Sequence, residues 1–205
     1  MKTIIYGKLT CCDMDTNAVL FIGCGDGQEM DACAGEQGIR IVGLEPAEAY
    51  YTRAAQRFRV CDWITIHKQG LREYSLAVKD TRFDRIYLLF PAPQMLLFHE
   101  QEIADSLTKL LKPLYGVFTM CSEITTDWMN LHVQFACARL RDALTENGFS
   151  VEASKVSFAE LPKHAQLSGF VQGVKGDGSI HYELLHASQH NLNLAHRVHD
   201  APAPC

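Results

Sequence analysis

The stretch AVLFIGCGDGQEM, residues 18–30, sets three glycines, Gly23, Gly25 and Gly27, directly behind five consecutive apolar residues, Ala18 to Ile22. An uninterrupted apolar run of this length suits a strand buried on both faces. Such strands belong to parallel sheets covered by helices. The glycines end the run abruptly, and the residues from Gln28 onward read as helical. Glycine serves where backbone must bend tightly or approach something closely. At the carboxyl end of a parallel strand, the thing approached is a ligand.

The rest of the chain repeats the alternation. Strands are expected at 18–22, 40–44, 64–67, 85–90 and 116–121, with helices at 28–37, 47–58, 71–79, 97–111 and 126–147. In the fourth helix Leu97, Ile103, Leu107, Leu110 and Leu111 form one apolar face, and Lys112-Pro113 stops it. In the fifth, Met129, Val133, Cys137, Leu140 and Leu144 recur at helical spacing, with Gly148 as the C-terminal cap. Five β–α units imply a parallel sheet covered on both faces. After Gly148 the pattern changes. Residues 149–158 read as a strand, and GFVQGVKGDGSIHYELL reads as two strands around the turn Lys175-Gly176-Asp177-Gly178. The expected fold is a single doubly wound α/β domain over residues 1–187. Its mostly parallel sheet ends in an antiparallel hairpin, and residues 188–205 form a polar tail.

Composition narrows the functional classes. The net charge of −5 and pI near 6.0 argue against a broad basic face for nucleic acid. No apolar run approaches the roughly 20 residues of a membrane span, and Lys8 and Asp13 interrupt any signal-peptide core. Eight cysteines without a C-x-x-C pair read as reduced thiols in a cytoplasmic protein. His181, His186, His190, His196 and His199 crowd the C-terminus at spacings that match no single helix face, so no metal site is expected.

The glycine spacing is G-x-G-x-G. Gln28 stands where the dinucleotide fingerprint G-x-G-x-x-G has its third glycine, which disfavours a nicotinamide or flavin oxidoreductase. The sequence V-L-F-I-G-C-G-D-G instead resembles the first motif of class I S-adenosylmethionine-dependent methyltransferases. That resemblance implies a Rossmann-like, seven-stranded fold and S-adenosylmethionine as cofactor, held at the loop of Gly23, Gly25, Asp26 and Gly27. It also implies an acid after the second strand, whose carboxylate accepts the ribose hydroxyls. Glu45 follows Arg40–Leu44, eighteen residues beyond Gly27; read alone, it is an acid at a helix N-terminus beside Pro46. After the third strand, Gln69 is placed to bond the adenine amino group, or lies in a plain surface turn.

FDRIYLLFPAP, Phe83 to Pro93, resembles the fourth motif of tRNA (guanine-N7-)-methyltransferases, in which strand four ends in F-P-D-P. TTDW, Thr125 to Trp128, resembles a Thr-Asp pair of the same family, and the likeness spans about residues 18–150. The chain departs from that family at Ala92, which replaces the aspartate. It departs again at Gln94–His99, where the family has a basic, tryptophan-containing segment. Phe90 is thereby expected beside the cofactor. Pro91, Pro93, Gln94, Trp128 and His164 are expected around the acceptor, with His164 on a loop at the rim and Glu123 and Asp127 as the catalytic carboxylates. The departures point to a small-molecule or peptide-sized acceptor rather than tRNA. A tRNA-modifying enzyme and a non-catalytic, cofactor-binding scaffold stand as alternatives.

Overall fold

The computed structural model describes residues 17–35, 38–124, 128–168 and 181–189 of the 205-residue chain. The strands are β1 (Asn17–Ile22), β2 (Ile39–Leu44), β3 (Ile64–His67), β4 (Arg85–Leu89), β5 (Val117–Ile124), β6 (Phe149–Val156) and β7 (His181–Gln189). They form one sheet in the order β3-β2-β1-β4-β5-β7-β6. Strands β1 to β5 are mutually parallel, and β7 lies antiparallel between β5 and β6. Because β1 pairs with both β2 and β4, the strand order reverses there. A reversal of this kind opens a crevice at the carboxyl ends of the strands, where ligands bind.

The helices are α1 (Asp31–Ala34), α2 (Glu48–Arg57), α3 (Leu71–Ala77), α4 (Pro93–Leu96), α5 (Glu100–Leu110), α6 (Trp128–Glu146) and α7 (Lys163–Gln166). Side chains alternate across a strand, so the apolar strands divide into two cores. On one face Leu20, Ile22, Leu44, Ile86, Leu88, Phe118 and Met120 pack against residues of α3, α5 and α6. On the other, Val19, Phe21, Ile41 and Tyr87 pack against Met30, Cys33, Ala54 and Phe58. A third cluster, beneath the segment that carries α7, joins Cys121, Tyr182 and Leu184 to Leu161 and Ala165. Each fully buried Leu, Ile or Phe contributes roughly 1.5–3 kcal/mol.

The fold differs locally from the sequence reading at four places. The helix expected over 28–37 is a 3-10 turn, Gln28–Met30, followed by the four-residue α1. The helix expected from Leu97 begins only at Glu100, because Phe98 adopts φ 69° and separates it from the short α4. Strand β6 stops at Val156, because Ser157 caps a 3-10 turn over Phe158–Glu160; its N–H and hydroxyl both donate to Glu160 Oε2, at 2.8 and 2.7 Å. The partner of β6 is β7, reached through α7, whereas the Lys175–Gly178 turn lies outside the described residues, as do residues 190–205. In α6, Cys137, Leu140 and Leu144 are buried as their spacing predicts. α6 is tied to α5 by the nearly buried Glu100 carboxylate, 2.9 Å from Arg139 Nε.

Two of the loop glycines are required for different reasons. Gly27 has φ +85°, and a Cβ there would lie 2.5 Å from the Phe58 ring. Gly25 has φ +55° but faces open space. Gly27→Ala should therefore cost about 2–4 kcal/mol, from left-handed strain plus overpacking. Gly25→Ala should cost about 1–2 kcal/mol, from strain alone. Urea unfolding of the two variants checks this, and equal losses would remove the Phe58 contact from the account.

Candidate functional site

The loop after β1 is held to the end of β2. Cys24 N–H donates to the Leu44 carbonyl at 3.0 Å, and Glu45 N–H donates to the His67 carbonyl at 3.0 Å, so the ladder runs past the strand ends. The loop then turns, and its position is fixed by Glu45. The carboxylate is 7% exposed. Its Oε2 accepts the Gly25 N–H and its Oε1 accepts the Ala47 N–H, each at 2.9 Å. A carboxylate has about four acceptor sites, so two remain for a ligand. Asp26 accepts from the Gln28 side chain at 3.0 Å and helps to shape the turn that follows.

The loop lies in a negative field. Burial, and next the charges of Glu45, Glu29 and Asp26, push the Cys24 thiol up to about 12. Glu29 is itself raised by burial, against a hydrogen bond from Ser168 that lowers it. Nearby, Arg57 is paired with Asp31 at 3.2 Å. Helix α1 spans only four residues and has Asp31 in its first turn, with Glu29 just ahead of it. A pyrophosphate is held by the positive end of a longer helix. These carboxylates oppose an anion and favour a cation.

A cavity of about 380 Å³ opens at the carboxyl ends of β1 to β4. Ile22, Leu44 and Leu88 form its strand side, and Leu71 and Ile103 contribute from α3 and α5. Gly23, Pro46 and Gln69 line it from the strand ends, and Met95 lines it from α4. Arg72, Glu73, His99 and Glu102 supply polar groups, with Arg72 Nη1 3.4 Å from Glu102 Oε2. Of the residues expected at the cofactor, Gly23 and Gln69 line this cavity, whereas Gly25, Asp26, Gly27 and Glu45 are not among its lining residues.

Several expected site residues lie elsewhere. Alternation along β4 would send Phe90 to the cavity face with Leu88. Instead Phe90 has φ 49°, and its ring packs edge-on to Tyr182, 6.1 Å between centroids. A bulky residue in that region costs about 1–2 kcal/mol. Its effect is to keep the ring out of the cavity, so Phe90 does not line the space expected for a cofactor. Glu123 is on the same strand face as Cys121 and is paired in register with Tyr182, opposite the cavity face. Burial raises its carboxyl. Burial raises the Tyr182 phenol too, followed by the Glu123 charge.

His164 is not a rim residue. Its ring lies 4.0 Å from that of Tyr87 and 6.2 Å from that of Phe21, on the sheet face away from the cavity. Its Nε2 is buried and has no hydrogen-bond partner among the described residues. Pro91 is buried and Ala92 exposed, Pro93 and Gln94 open α4, and Trp128 opens α6. Asp127 lies outside the described residues. Among those residues, no three His, Cys, Asp or Glu side chains come together as a metal site, and no helix is long and apolar enough to cross a membrane. The cavity residues missed from sequence are Arg72, Met95, His99 and Glu102. None stands in a motif, and only the position of Met95, His99 and Glu102 just after β4 could have signalled them.

Strand order, reversal point and antiparallel end together define the Rossmann-like methyltransferase fold. Similar solved structures include the SpnF cyclase, at 16% identity and TM-score 0.60, over 86% of this chain and 76% of that one. The cyclopropane synthase MmaA2 from Mycobacterium tuberculosis is similar at 15% identity and TM-score 0.59, over 84% and 78%. The geranyl diphosphate C-methyltransferase from Streptomyces coelicolor, solved with Mg2+, geranyl diphosphate and S-adenosyl-L-homocysteine, is similar at 12% identity and TM-score 0.56, over 85% and 73%. At these identities the likeness is one of fold. No protein-family model matches the chain, and no curated protein sequence matches it.

The buried His164 sets a pH dependence. Burial, and next the charge of Arg85, push its imidazole down to about 4 from an ordinary 6.5. The unfolded chain then binds a proton below pH 6.5 that the folded chain refuses until about pH 4. Stability is therefore lost as pH falls through that window, by up to about 3 kcal/mol. His164→Phe should remove this loss, so the stability difference between variant and wild type should grow steadily from pH 6.5 to 4. His67 and His186 are also lowered by burial and remain in both proteins. A difference curve flat in pH, measured by urea unfolding, would sink the assignment.

Proposed function

We propose that the chain is an S-adenosylmethionine-dependent methyltransferase acting on a small-molecule or peptide-sized acceptor. The observation that carries this reading is the charge around the glycine loop. Glu45, Glu29 and Asp26 converge on Cys24. A sulfonium and an α-ammonium are cations suited to that field, whereas the pyrophosphate of a dinucleotide is repelled by it. The free acceptor sites of Glu45 suit ribose hydroxyls, and Gln69 suits the adenine amino group. The apolar strand side of the cavity suits the purine face. When bound, the cofactor supplies a methyl carbon already activated by positive charge, so the protein's task is chiefly to orient and to exclude water.

Support for a non-tRNA acceptor comes from two features. Ala92 stands in place of the F-P-D-P aspartate and cannot accept a hydrogen bond through its side chain. Residues 94–99 lack the basic groups that give most affinity for a phosphate backbone. A second reading has its own observation. Glu123, the carboxylate expected as base, faces away from the cavity. One structure of similar fold is named a cyclase. The second reading is a relative that binds the cofactor without methylating.

Calorimetry with S-adenosylhomocysteine and NAD tests the cofactor. Binding of the first and not the second is expected. Glu45→Ala should weaken S-adenosylhomocysteine at least tenfold, because charged hydrogen bonds of about 1.5–3 kcal/mol are lost both to ligand and to the Gly25 loop. Unchanged affinity would remove Glu45 from the site. Transfer of labelled methyl to a small-molecule extract, and not to unmodified bulk tRNA, is the expected acceptor result. Labelling of tRNA would restore the RNA enzyme, and labelling of neither, with binding intact, would favour the second reading.

A further inference from the structure

The wall of the cavity beyond Gly23 holds polar groups that the cofactor does not need. On the proposed reading, adenine lies toward Gln69 and the amino acid part of the cofactor toward Gly23 and Gly25. The sulfonium then falls between them. The nearest atom facing Gly23 is Met95 Cε, 3.5 Å from where a Cβ would stand. From Met95 the same connection runs on to His99, the N-cap of α5, and to Glu102 in its first turn. Both line the cavity, next to the apolar Ile103. Glu102 is engaged by Arg72 across the gap between α5 and α3. His99 is exposed, and its backbone N–H donates to the Leu96 carbonyl at 3.2 Å. Glu73 is the remaining charged group on this cavity.

We propose that His99 is the catalytic residue that faces the acceptor and takes its proton, and that the acceptor is a small amine or hydroxyl compound. The inference rests on the proposed function. The acceptor's nitrogen or oxygen lone pair attacks the methyl carbon. The carbon–sulfur bond breaks, and its electron pair stays on sulfur. A carbon–nitrogen or carbon–oxygen bond forms, and the N–H or O–H proton passes to a ring nitrogen of His99. From there it leaves to solvent, which the exposed side chain can reach. Imidazole accepts and releases protons near neutral pH, the range in which such a base works. Methylation of an alkene carbon leaves a carbocation that needs a dry enclosure, and an exposed histidine beside Arg72, Glu73 and Glu102 does not provide one. Glu123 cannot serve this role from the opposite sheet face.

The test needs no acceptor. Sinefungin has an amine-bearing carbon in place of the methylsulfonium, so its amine probes whatever faces the transferred methyl. Calorimetry should compare sinefungin with S-adenosylhomocysteine for wild type, His99→Ala and His99→Gln, with thermal midpoints confirming that each is folded. His99→Ala should lower the preference for sinefungin roughly tenfold while S-adenosylhomocysteine binds within about twofold of wild type. His99→Gln, which keeps an acceptor oxygen, should recover part of the preference. An unchanged preference in His99→Ala, with S-adenosylhomocysteine binding intact, would overturn the role of His99 and leave the cofactor reading standing. Failure of wild type to bind either ligand would overturn both.

Discussion

The carboxylate of Glu45 fastens the glycine loop to the second strand. One oxygen takes the Gly25 amide, the other the Ala47 amide. The two segments join neighbouring parallel strands at the point where the sheet order reverses. Apart from the buried Cys24, the loop's own side chains do little to fix it. Three glycines have no side chains to pack, Cys24 points into the core, and Asp26 bonds only to the next turn. The glycine loop and the start of the segment after β2 are thus secured by the same carboxylate. Any substitution at Glu45 changes both, which is why binding and stability have to be measured together there.

The two faces of the sheet have separate duties. The face of Ile22, Leu44 and Leu88 opens into the cavity. The other face is closed by the segment that carries α7, which seats His164 on Tyr87 and Phe21. Phe90 stands at the border. Its left-handed backbone turns a large ring from the open face to the closed one. The cavity is therefore roomy because a strained residue has been turned out of it. Strain of this sort persists where surrounding structure fixes it, here through the Phe90 N–H to the Cys121 carbonyl at 2.8 Å and the ring against Tyr182.

Much of the fold was legible because burial writes itself into runs of apolar residues. Strands β1 to β4 begin within a residue or two of where the runs begin, and Cys137, Leu140 and Leu144 fell on the buried side of α6. The place of Glu45 at the end of the second strand was legible from the apolar run before it, but its bond to the Gly25 amide was not. At Gly27 the sequence did not show that Phe58, a residue thirty-one positions on, leaves no room for a Cβ. Phe90, Glu123 and His164 were misplaced for a related reason. A sequence gives the position of a side chain along the chain, but the face it takes depends on local backbone angles and on what lands on it. His99 escaped because its significance is purely spatial: it becomes a cavity residue only once α3 and α5 are packed together.

Glu29, just behind the glycine loop, is bonded by Ser168, ~140 residues later in the chain. The turn at 28–30 and α1 are too short to cover their own face of the sheet, and α7 packs against both. Contacts so far apart in sequence form late, because the loop between them must close first. During synthesis, the first strands can pair while the glycine loop still lacks its cover. A chain that lacked its C-terminal third would leave the outer side of the Gln28–Ala34 segment, and Glu29 with it, uncovered.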